Sequence, residues 1–174
     1  MQNILNKAAA VKLFILDVDG VMTDGRIYFT PTGEEMKSFH TLDGHGLKML
    51  QKSGVKLAII TGRDAPCVAH RAKNLNIDYY YAGITDKLSC FQKLLQESGF
   101  SPEQCAYMGD DVVDLSVMLR VGLTIAPPLA HDYVLKRALF ITKAAAGMGA
   151  VREACEFILS AQNNLEAAMA EYLL

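Results

Sequence analysis

The sequence of 174 residues has neither an excess of basic residues nor a long apolar segment. Its formal net charge of −2 provides no basic surface for nucleic acid or an anionic membrane, so neither partner is expected. The first ten residues are too short and too polar for a signal peptide or a membrane span, which predicts a cytoplasmic protein. No repeat, low-complexity tract or linker interrupts the chain, and its length predicts one domain over residues 1–174.

Cysteine is sparse, and the four cysteines are scattered along the chain. Cys67, Cys90, Cys105 and Cys155 form no C-x-x-C pair, which argues against a structural zinc site. Proteins of reducing compartments keep their thiols unpaired. We therefore expect four buried free thiols.

The chemistry is concentrated in residues 13–25, LFILDVDGVMTDG. Four apolar residues run directly into Asp17 and Asp19, and such a run predicts a strand that is buried on both faces of a parallel sheet. Ligands of open α/β sheets bind beyond the carboxyl ends of the strands, which is where these two carboxylates would lie. Because they are two residues apart, they point the same way while the backbone stays extended.

The remaining pattern predicts an α/β fold, because apolar strands alternate with short helices. Predicted strands cover residues 13–16, 55–61, 79–82, 105–108, 123–126 and 139–142. Predicted helices cover residues 43–53, 66–74, 86–98, 112–120 and 132–136, with Asp43 as an N-cap, and a helical tail follows over about 150–174. Residues 165–174 are expected to form either a frayed helix or a contact with another subunit.

Residues 26–40 interrupt this alternation with two short extended segments, 26–29 and 35–40, around a Pro/Gly turn. This pattern predicts a β-hairpin. It could be an edge ribbon, or it could serve as a flap or as an oligomer contact.

Two further predicted strands end in polar clusters, the first in Thr61, Gly62 and Arg63. The second ends in Asp110 and Asp111, with Asp114 three residues later. A parallel sheet would bring both clusters to the edge that carries Asp17 and Asp19. Carboxylates crowded together without His or Cys favour Mg²⁺ as the bound cation.

Lys87 occupies the first turn of a predicted helix, where its charge opposes the helix dipole. This placement favours an anionic partner. An aspartate beside a phosphoryl group can attack phosphorus, and a second carboxylate can transfer protons to the leaving alcohol and from water. Thr61, Gly62 and Lys87 are the candidates to hold the phosphoryl oxygens.

In this order the motifs resemble the four motifs of the haloacid dehalogenase (HAD) superfamily of phosphatases: residues 17–25, residues 61–63, Lys87 and residues 109–114. The resemblance implies a Rossmann-like fold with a mostly parallel sheet. It also implies that Asp17 is the nucleophile and Asp19 the general acid/base. Mg²⁺ would be bound by the Asp17 carboxylate, the Asp19 main-chain carbonyl and Asp110, with Asp111 and Asp114 in support.

The absence of a large cap domain and the stretch 147–156 resemble the capless HAD phosphatases that act on 3-deoxy-D-manno-octulosonate (KDO) 8-phosphate. The resemblance implies hydrolysis of this sugar phosphate to KDO and phosphate on the route to lipopolysaccharide. It further implies a homotetramer in which neighbouring subunits complete each active site. The chain departs from the pattern at Met148, where those proteins often have Arg, whereas Arg152 and Glu153 match.

Arg63 is the candidate for binding the carboxylate of the sugar acid, because guanidinium and carboxylate form bidentate pairs. His40, His45 and Asp24 are lesser candidates near the hairpin. Two alternatives stay open: a phosphatase of a nine-carbon, sialic-acid-type sugar 9-phosphate, and a non-catalytic HAD-like oligomerisation module.

Overall fold

The computed structural model describes residues 2–173. Its strands are β1 (Leu13–Leu16), β2 (Tyr28–Phe29), β3 (Glu35–Met36), β4 (Lys56–Ile60), β5 (Tyr79–Tyr81), β6 (Cys105–Met108), β7 (Leu123–Ala126) and β8 (Phe140–Ile141). Its helices are α1 (Gln2–Ala9), α2 (Thr41–Lys52), α3 (Pro66–Asn74), α4 (Lys87–Ser98), α5 (Leu115–Met118), α6 (Asp132–Leu135), α7 (Ala150–Ala161) and α8 (Leu165–Ala170). Two 3₁₀ turns, Pro102–Gln104 and Val112–Asp114, precede β6 and α5.

Six strands form one parallel sheet in the order β5-β4-β1-β6-β7-β8. At its centre, Leu16 of β1 pairs with Ile59 of β4 on one side and with Met108 of β6 on the other. The amide of Asp17 extends this pairing by donating to the carbonyl oxygen of Met108 at 3.0 Å. All carboxyl ends therefore lie at one edge, and the predicted parallel sheet flanked by helices is confirmed.

The residues of β1 alternate between two apolar cores, one on each face of the sheet. Phe14 and Leu16 belong to the core that α1, α2, α3 and α7 cover. Leu13 and Ile15 belong to the core that α4, α5 and α6 cover. Burial on both faces explains why every residue of this strand is apolar.

The predicted β-hairpin is present as the antiparallel pair β2 and β3, in which Tyr28 pairs with Met36. Each strand has only two residues, so the hairpin is shorter than the predicted segments 26–29 and 35–40. It is the only β-structure between β1 and α2 in the described chain. Three of its apolar side chains are exposed: Ile27, Phe29 and Met36.

The prediction that Asp43 caps α2 is wrong, because this helix begins two residues earlier. His40 is the N-cap, and its Nδ1 accepts a hydrogen bond from the amide of Leu42 at 3.2 Å. The carboxylate of Asp43 is buried and accepts instead from the amides of Gly149 and Arg152, at the start of α7. Asp43 therefore ties α2 to α7.

The predicted helix over residues 112–120 is also wrong at its start. Residues 112–114 form a 3₁₀ turn, and regular helix is confined to α5. The turn forms because the Asp114 carboxylate points inwards and accepts hydrogen bonds from the amides of Asp110 and Asp111. Such side-chain bonds to the backbone compete with regular helix.

Residues 2–9, for which the sequence analysis predicts no element, form helix α1. Its buried Ala8 and its neighbour Ile4 pack on the same core as α7. At the other end, α8 confirms the helical alternative for part of residues 165–174, and Leu165 packs on that core. Met1 and Leu174, the ends of the predicted domain, lie outside the described residues.

All four cysteines carry free thiols, as expected. Cys90, Cys105 and Cys155 are buried, whereas the prediction of burial is wrong for Cys67, which is partly exposed. Helix α3 turns Val68 and Ala72 to the core, and this leaves Cys67 nearer the surface. Within residues 2–173, no helix combines the length and the apolar character needed to cross a membrane.

Candidate active site

The carboxyl edge of the sheet forms an open cleft of about 510 Å³. Eight predicted site residues line it: Asp17, Asp19, Thr61, Gly62, Arg63, Lys87, Asp110 and Asp111. The ninth, Asp114, is fully buried next to them. The structure thus brings the residues of all the predicted motifs together.

Asp17 and Lys87 form a buried ion pair at the end of β1. Oδ1 of Asp17 lies 3.0 Å from Nζ of Lys87, and only 7% of the surface of Asp17 is exposed. Burial and the charge of Asp114 raise the pKa of Asp17 to about 6, although Lys87 acts in the opposite direction. Within the chain, Lys87 thus has Asp17 as an anionic partner, and its contact with a phosphoryl group stays a prediction.

Asp114 organises the groups around it. Its Oδ1 accepts hydrogen bonds from Nζ of Lys87 and from the hydroxyl of Tyr107, both at 2.7 Å. Its Oδ2 accepts from the amides of Asp110 and Asp111, at 3.1 and 3.2 Å. A carboxylate offers about four lone-pair positions, so these four donors leave little capacity for another ligand.

Sequence reasoning missed Tyr107, which reads as one more apolar residue of a buried strand. Its side chain is fully buried, and burial holds the pKa of its hydroxyl well above the usual range, so the proton remains available for donation. A buried tyrosine hydroxyl usually has a hydrogen-bond partner. A tyrosine two residues before Gly109 in an apolar strand was therefore a signal that could have found it.

Asp110 presents its carboxylate to the cleft across the backbone of Gly20. A Cβ atom on Gly20, whose φ is +77°, would lie 2.0 Å from Oδ2 of Asp110. Burial and the charges of Asp114 and Asp17 raise the pKa of Asp110 to about 7. The site therefore combines close packing with strong repulsion between carboxylates.

These features fit a divalent cation. Oxygen atoms of Asp17, Asp110 and Asp114 lie within 4.8 Å of one another. The raised pKa values of Asp17 and Asp110 show that the two negative charges are poorly compensated by the protein alone. Since the lone pairs of Asp114 are committed to four donors, Asp17 and Asp110 are the carboxylates available to a hard cation such as Mg²⁺.

The side chain of Asp19 faces the hairpin. It forms an ion pair with Lys37, and its Oδ2 lies 3.8 Å from Nε of Arg63. Lys37 also pairs with Glu35, whose Oε2 lies 3.4 Å from a terminal nitrogen of Arg63. Sequence reasoning missed Lys37 and Glu35, although their spacing of two residues in an extended segment places them on one face.

Thr61 and Gly62 follow β4 at the same edge. The backbone of Thr61 is fixed on both sides, because its amide donates to Tyr81 and its carbonyl accepts from Ile84, each at 3.0 Å. Its hydroxyl is buried and accepts a weak bond from the amide of Arg63 at 3.4 Å. Thr61, Gly62 and Lys87 therefore offer polar groups to one end of the cleft.

The lesser candidates have other partners and do not line this cleft. His40 caps α2, and the ring of His45 lies edge-on to Tyr172 with 5.1 Å between centroids. Asp24 accepts from the hydroxyl of Tyr28 at 2.7 Å and from the amide of Arg26 at 3.0 Å.

In the tail region, Met148 is exposed, whereas Glu153 accepts hydrogen bonds from the amides of Lys143 and Ala144. Arg152 pairs with Glu156. Glu153 therefore ties α7 to the segment before it, whereas the Arg152–Glu156 pair lies within α7.

Comparison with known proteins gives a consistent result. The family profile of haloacid dehalogenase-like hydrolases matches residues 34–122. The chain is 46% identical to 3-deoxy-D-manno-octulosonate 8-phosphate phosphatase KdsC of Yersinia pestis, over 95% of this chain and 89% of that protein. The corresponding phosphatase of Escherichia coli K12 is 44% identical, over 95% of this chain and 88% of its own.

A solved structure extends this similarity to the fold. The 3-deoxy-D-manno-octulosonate 8-phosphate phosphatase of Moraxella catarrhalis, in complex with magnesium, phosphate and KDO, superposes with a TM-score of 0.96. It shares 42% sequence identity and covers 99% of both chains.

Proposed function

The chain belongs to the haloacid dehalogenase-like hydrolase family, as its motifs predicted, and from this we propose that it hydrolyses KDO 8-phosphate to KDO and inorganic phosphate. The observation that carries the proposal is the arrangement of Asp17, Lys87 and Asp110 at the end of β1 in an open cleft. This arrangement supplies a nucleophile, a cation for the phosphoryl group and a second carboxylate for a metal. The substrate is inferred from the relatives, which are phosphatases of this sugar phosphate.

In the first step, a carboxylate oxygen of Asp17 attacks phosphorus, and an acyl phosphate forms as the phosphate ester bond breaks. The electron pair of that bond stays on the sugar oxygen, which takes a proton from Asp19. In the second step, water attacks phosphorus and gives a proton to Asp19. The bond between phosphorus and Asp17 then breaks, which releases phosphate, restores the carboxylate of Asp17 and leaves Asp19 protonated for the next cycle.

The phosphoryl oxygens would be held by groups that already face the cleft. Lys87 supplies positive charge, while Thr61 supplies a hydroxyl and Gly62 a backbone N–H. Phosphoryl transfer depends mainly on positioning and on electrostatic stabilisation of the transition state. Asp114 fixes the amine of Lys87 and the backbone amide of Asp110, so it would support the binding of the phosphoryl oxygens.

Mg²⁺ would be held by the carboxylates of Asp17 and Asp110 and by the main-chain carbonyl of Asp19. Bound there, it would neutralise the repulsion between the carboxylates and the phosphate and orient the substrate. Asp111 lines the cleft beside Asp110 and would support the same site.

The sugar acid would extend from the phosphoryl end of the cleft towards the hairpin. Arg63 lies on this path and is the residue we assign to its carboxylate. Arg63 is held by Glu35 and Asp19 through contacts of 3.4 and 3.8 Å. These contacts are long, so a better-placed carboxylate could replace them.

We further propose a homotetramer in the cytoplasm, serving lipopolysaccharide synthesis. The exposed Ile27, Phe29 and Met36 of the hairpin support the oligomer, because adjacent exposed apolar side chains commonly mark contact surfaces. In such an assembly, neighbouring subunits would close the open side of each cleft.

The test is a phosphate-release assay over a panel of sugar phosphates, with Mg²⁺ or with excess chelator. We expect KDO 8-phosphate to be hydrolysed with a kcat/KM at least about tenfold above that of a nine-carbon sialic-acid-type 9-phosphate, and only with the metal present. If the nine-carbon ester were hydrolysed faster, the protein would be a phosphatase of that substrate instead. If no ester were hydrolysed, the proposed activity would be wrong and the non-catalytic oligomerisation module would be the better hypothesis.

A further inference from the structure

Tyr107 carries a polar group in an otherwise apolar core. It pairs with Ile15 in the sheet, and the core on this face includes Leu13, Phe91 and Leu94. The aromatic ring alone would satisfy this packing, because the neighbouring side chains are apolar. The hydroxyl therefore requires a separate explanation.

The hydroxyl has one strong contact, the 2.7 Å bond that it donates to Oδ1 of Asp114. Its separation from Nζ of Lys87 is 3.5 Å, which is long for a hydrogen bond. Asp114 has no solvent exposure, so its charge must be stabilised by donors from the protein. Of its four donors, only Tyr107 comes from the interior of the sheet, because Lys87 and the other two belong to the cleft.

We propose that Tyr107 is a positioning residue of this active site. Its hydroxyl donates to Asp114 from the interior of the sheet and fixes the position of this carboxylate. One oxygen of Asp114 then directs Lys87 towards Asp17. The other oxygen then holds the amides of Asp110 and Asp111. This inference rests on the proposed function, since the groups being positioned are those assigned to phosphoryl transfer and metal binding.

Loss of the hydroxyl leaves Lys87 as the sole donor to Oδ1 of Asp114. The amine is now shared between Asp114 at 2.7 Å and Asp17 at 3.0 Å, and this balance would shift towards Asp114. The loop that carries Asp110 would also be less firmly held. Both changes affect the transition state and the metal more than the binding of the sugar, so kcat should fall while KM changes little.

The experiment compares Tyr107→Phe with Tyr80→Phe. Tyr80 is a matched control on β5, at the edge of the same sheet, since its buried hydroxyl has no hydrogen-bond partner among the described residues. For Tyr107→Phe we expect kcat for KDO 8-phosphate to fall about tenfold with KM within about twofold. Calorimetric titration should show a Mg²⁺ dissociation constant raised about tenfold, and Tyr80→Phe should match the wild type in every measurement.

A double-mutant cycle tests whether Tyr107 acts through Asp114. In the Asp114→Asn background, Tyr107→Phe should change the Mg²⁺ dissociation constant by less than about twofold. A full tenfold change there would overturn the proposal, and so would a Tyr107→Phe protein with wild-type kcat and metal affinity. A Tyr107→Phe protein that cannot fold would also overturn it, because the proposal requires that the ring alone satisfies the core.

The metal titration separates this proposal from the proposed function. If the wild type binds Mg²⁺ but hydrolyses no sugar phosphate, the proposed function fails while the calorimetric comparison still decides the role of Tyr107.

Discussion

A Cβ atom on Gly20 would lie 2.0 Å from Oδ2 of Asp110, so the turn after β1 and the loop after β6 fit only with glycine at this position. Two strands that are far apart in sequence are thereby joined at the candidate metal site. Gly20 also has a φ of +77°, a conformation that other residues rarely adopt. The site thus depends on a residue without a side chain as much as on its carboxylates.

Replacement of Gly20 by alanine should therefore displace Asp110 and weaken metal binding. We expect Gly20→Ala to raise the Mg²⁺ concentration needed for half-maximal phosphate release by about tenfold or more. Gly33→Ala is the matched control, because Gly33 has a φ of +85° but a Cβ atom there would meet nothing within 4 Å. A Mg²⁺ requirement of Gly20→Ala no higher than that of Gly33→Ala would contradict the role of the contact with Asp110.

Metal binding should release protons near neutral pH. The pKa values of Asp17 and Asp110, about 6 and about 7, lie above the usual value of 3.8. At pH 6 both carboxyl groups are substantially protonated, and Mg²⁺ must displace between about one and two protons, whereas at pH 8.5 it should displace almost none. Calorimetry in two buffers of different ionisation enthalpy measures this number. A binding enthalpy at pH 6 that does not depend on the buffer would contradict it.

The same pKa values predict how stability depends on pH in the metal-free protein. Between about pH 4 and pH 7 the folded state binds more protons than the unfolded state, because its two carboxyl groups have the higher pKa values. The free energy of unfolding should therefore fall as the pH rises through this window. Mg²⁺ should reverse the trend, and urea unfolding with and without the metal provides the measurement. A trend unaffected by Mg²⁺ would mean that other groups cause it.

The sequence predicts those parts of the site that depend on short stretches of neighbouring residues. The apolar run before Asp17 and the glycine-flanked carboxylates after β6 identify strands and their ends without reference to the rest of the chain. Local signals do not identify the partners of Asp43, Tyr107 and Lys37. Their partners lie on other elements: Asp43 caps α7, Tyr107 donates to Asp114 and Lys37 pairs with Asp19. Contacts of this kind appear only once the elements have packed.

Arg63 should contribute to affinity for the sugar acid and not to the chemistry of the phosphate. We expect Arg63→Gln to raise KM for KDO 8-phosphate by about tenfold, the effect of losing one charge-assisted bond. The variant should leave the hydrolysis of p-nitrophenyl phosphate, which has no carboxylate, within about twofold of the wild type. Arg120→Gln provides a control, since Arg120 is exposed and, among residues 2–173, its side chain bonds only to the carbonyl of Ser116. If Arg63→Gln lost as much activity towards p-nitrophenyl phosphate as towards KDO 8-phosphate, Arg63 would belong with the groups that act on the phosphate.

The hairpin should be an oligomer contact. By light scattering, the wild type should have about four times the chain mass of 19.0 kDa, and Phe29→Glu should reduce it. A buried charge without a partner strongly destabilises an interface. Leu119→Glu is the matched control, because Leu119 and Phe29 are both 63% exposed but Leu119 lies away from the hairpin. A fully active wild-type monomer would contradict the shared-site proposal.

The role of Asp17 as nucleophile is the central claim, and phosphate release from KDO 8-phosphate in Mg²⁺ tests it most directly. Asp17→Asn keeps the shape of the side chain but removes the attacking oxygen anion, so we expect the rate to fall by about 10⁴-fold or more. Asp64→Asn, which alters an exposed carboxylate outside the cleft, should retain wild-type activity. Asp17→Asn protein that is folded and releases phosphate at a near wild-type rate would contradict the mechanism.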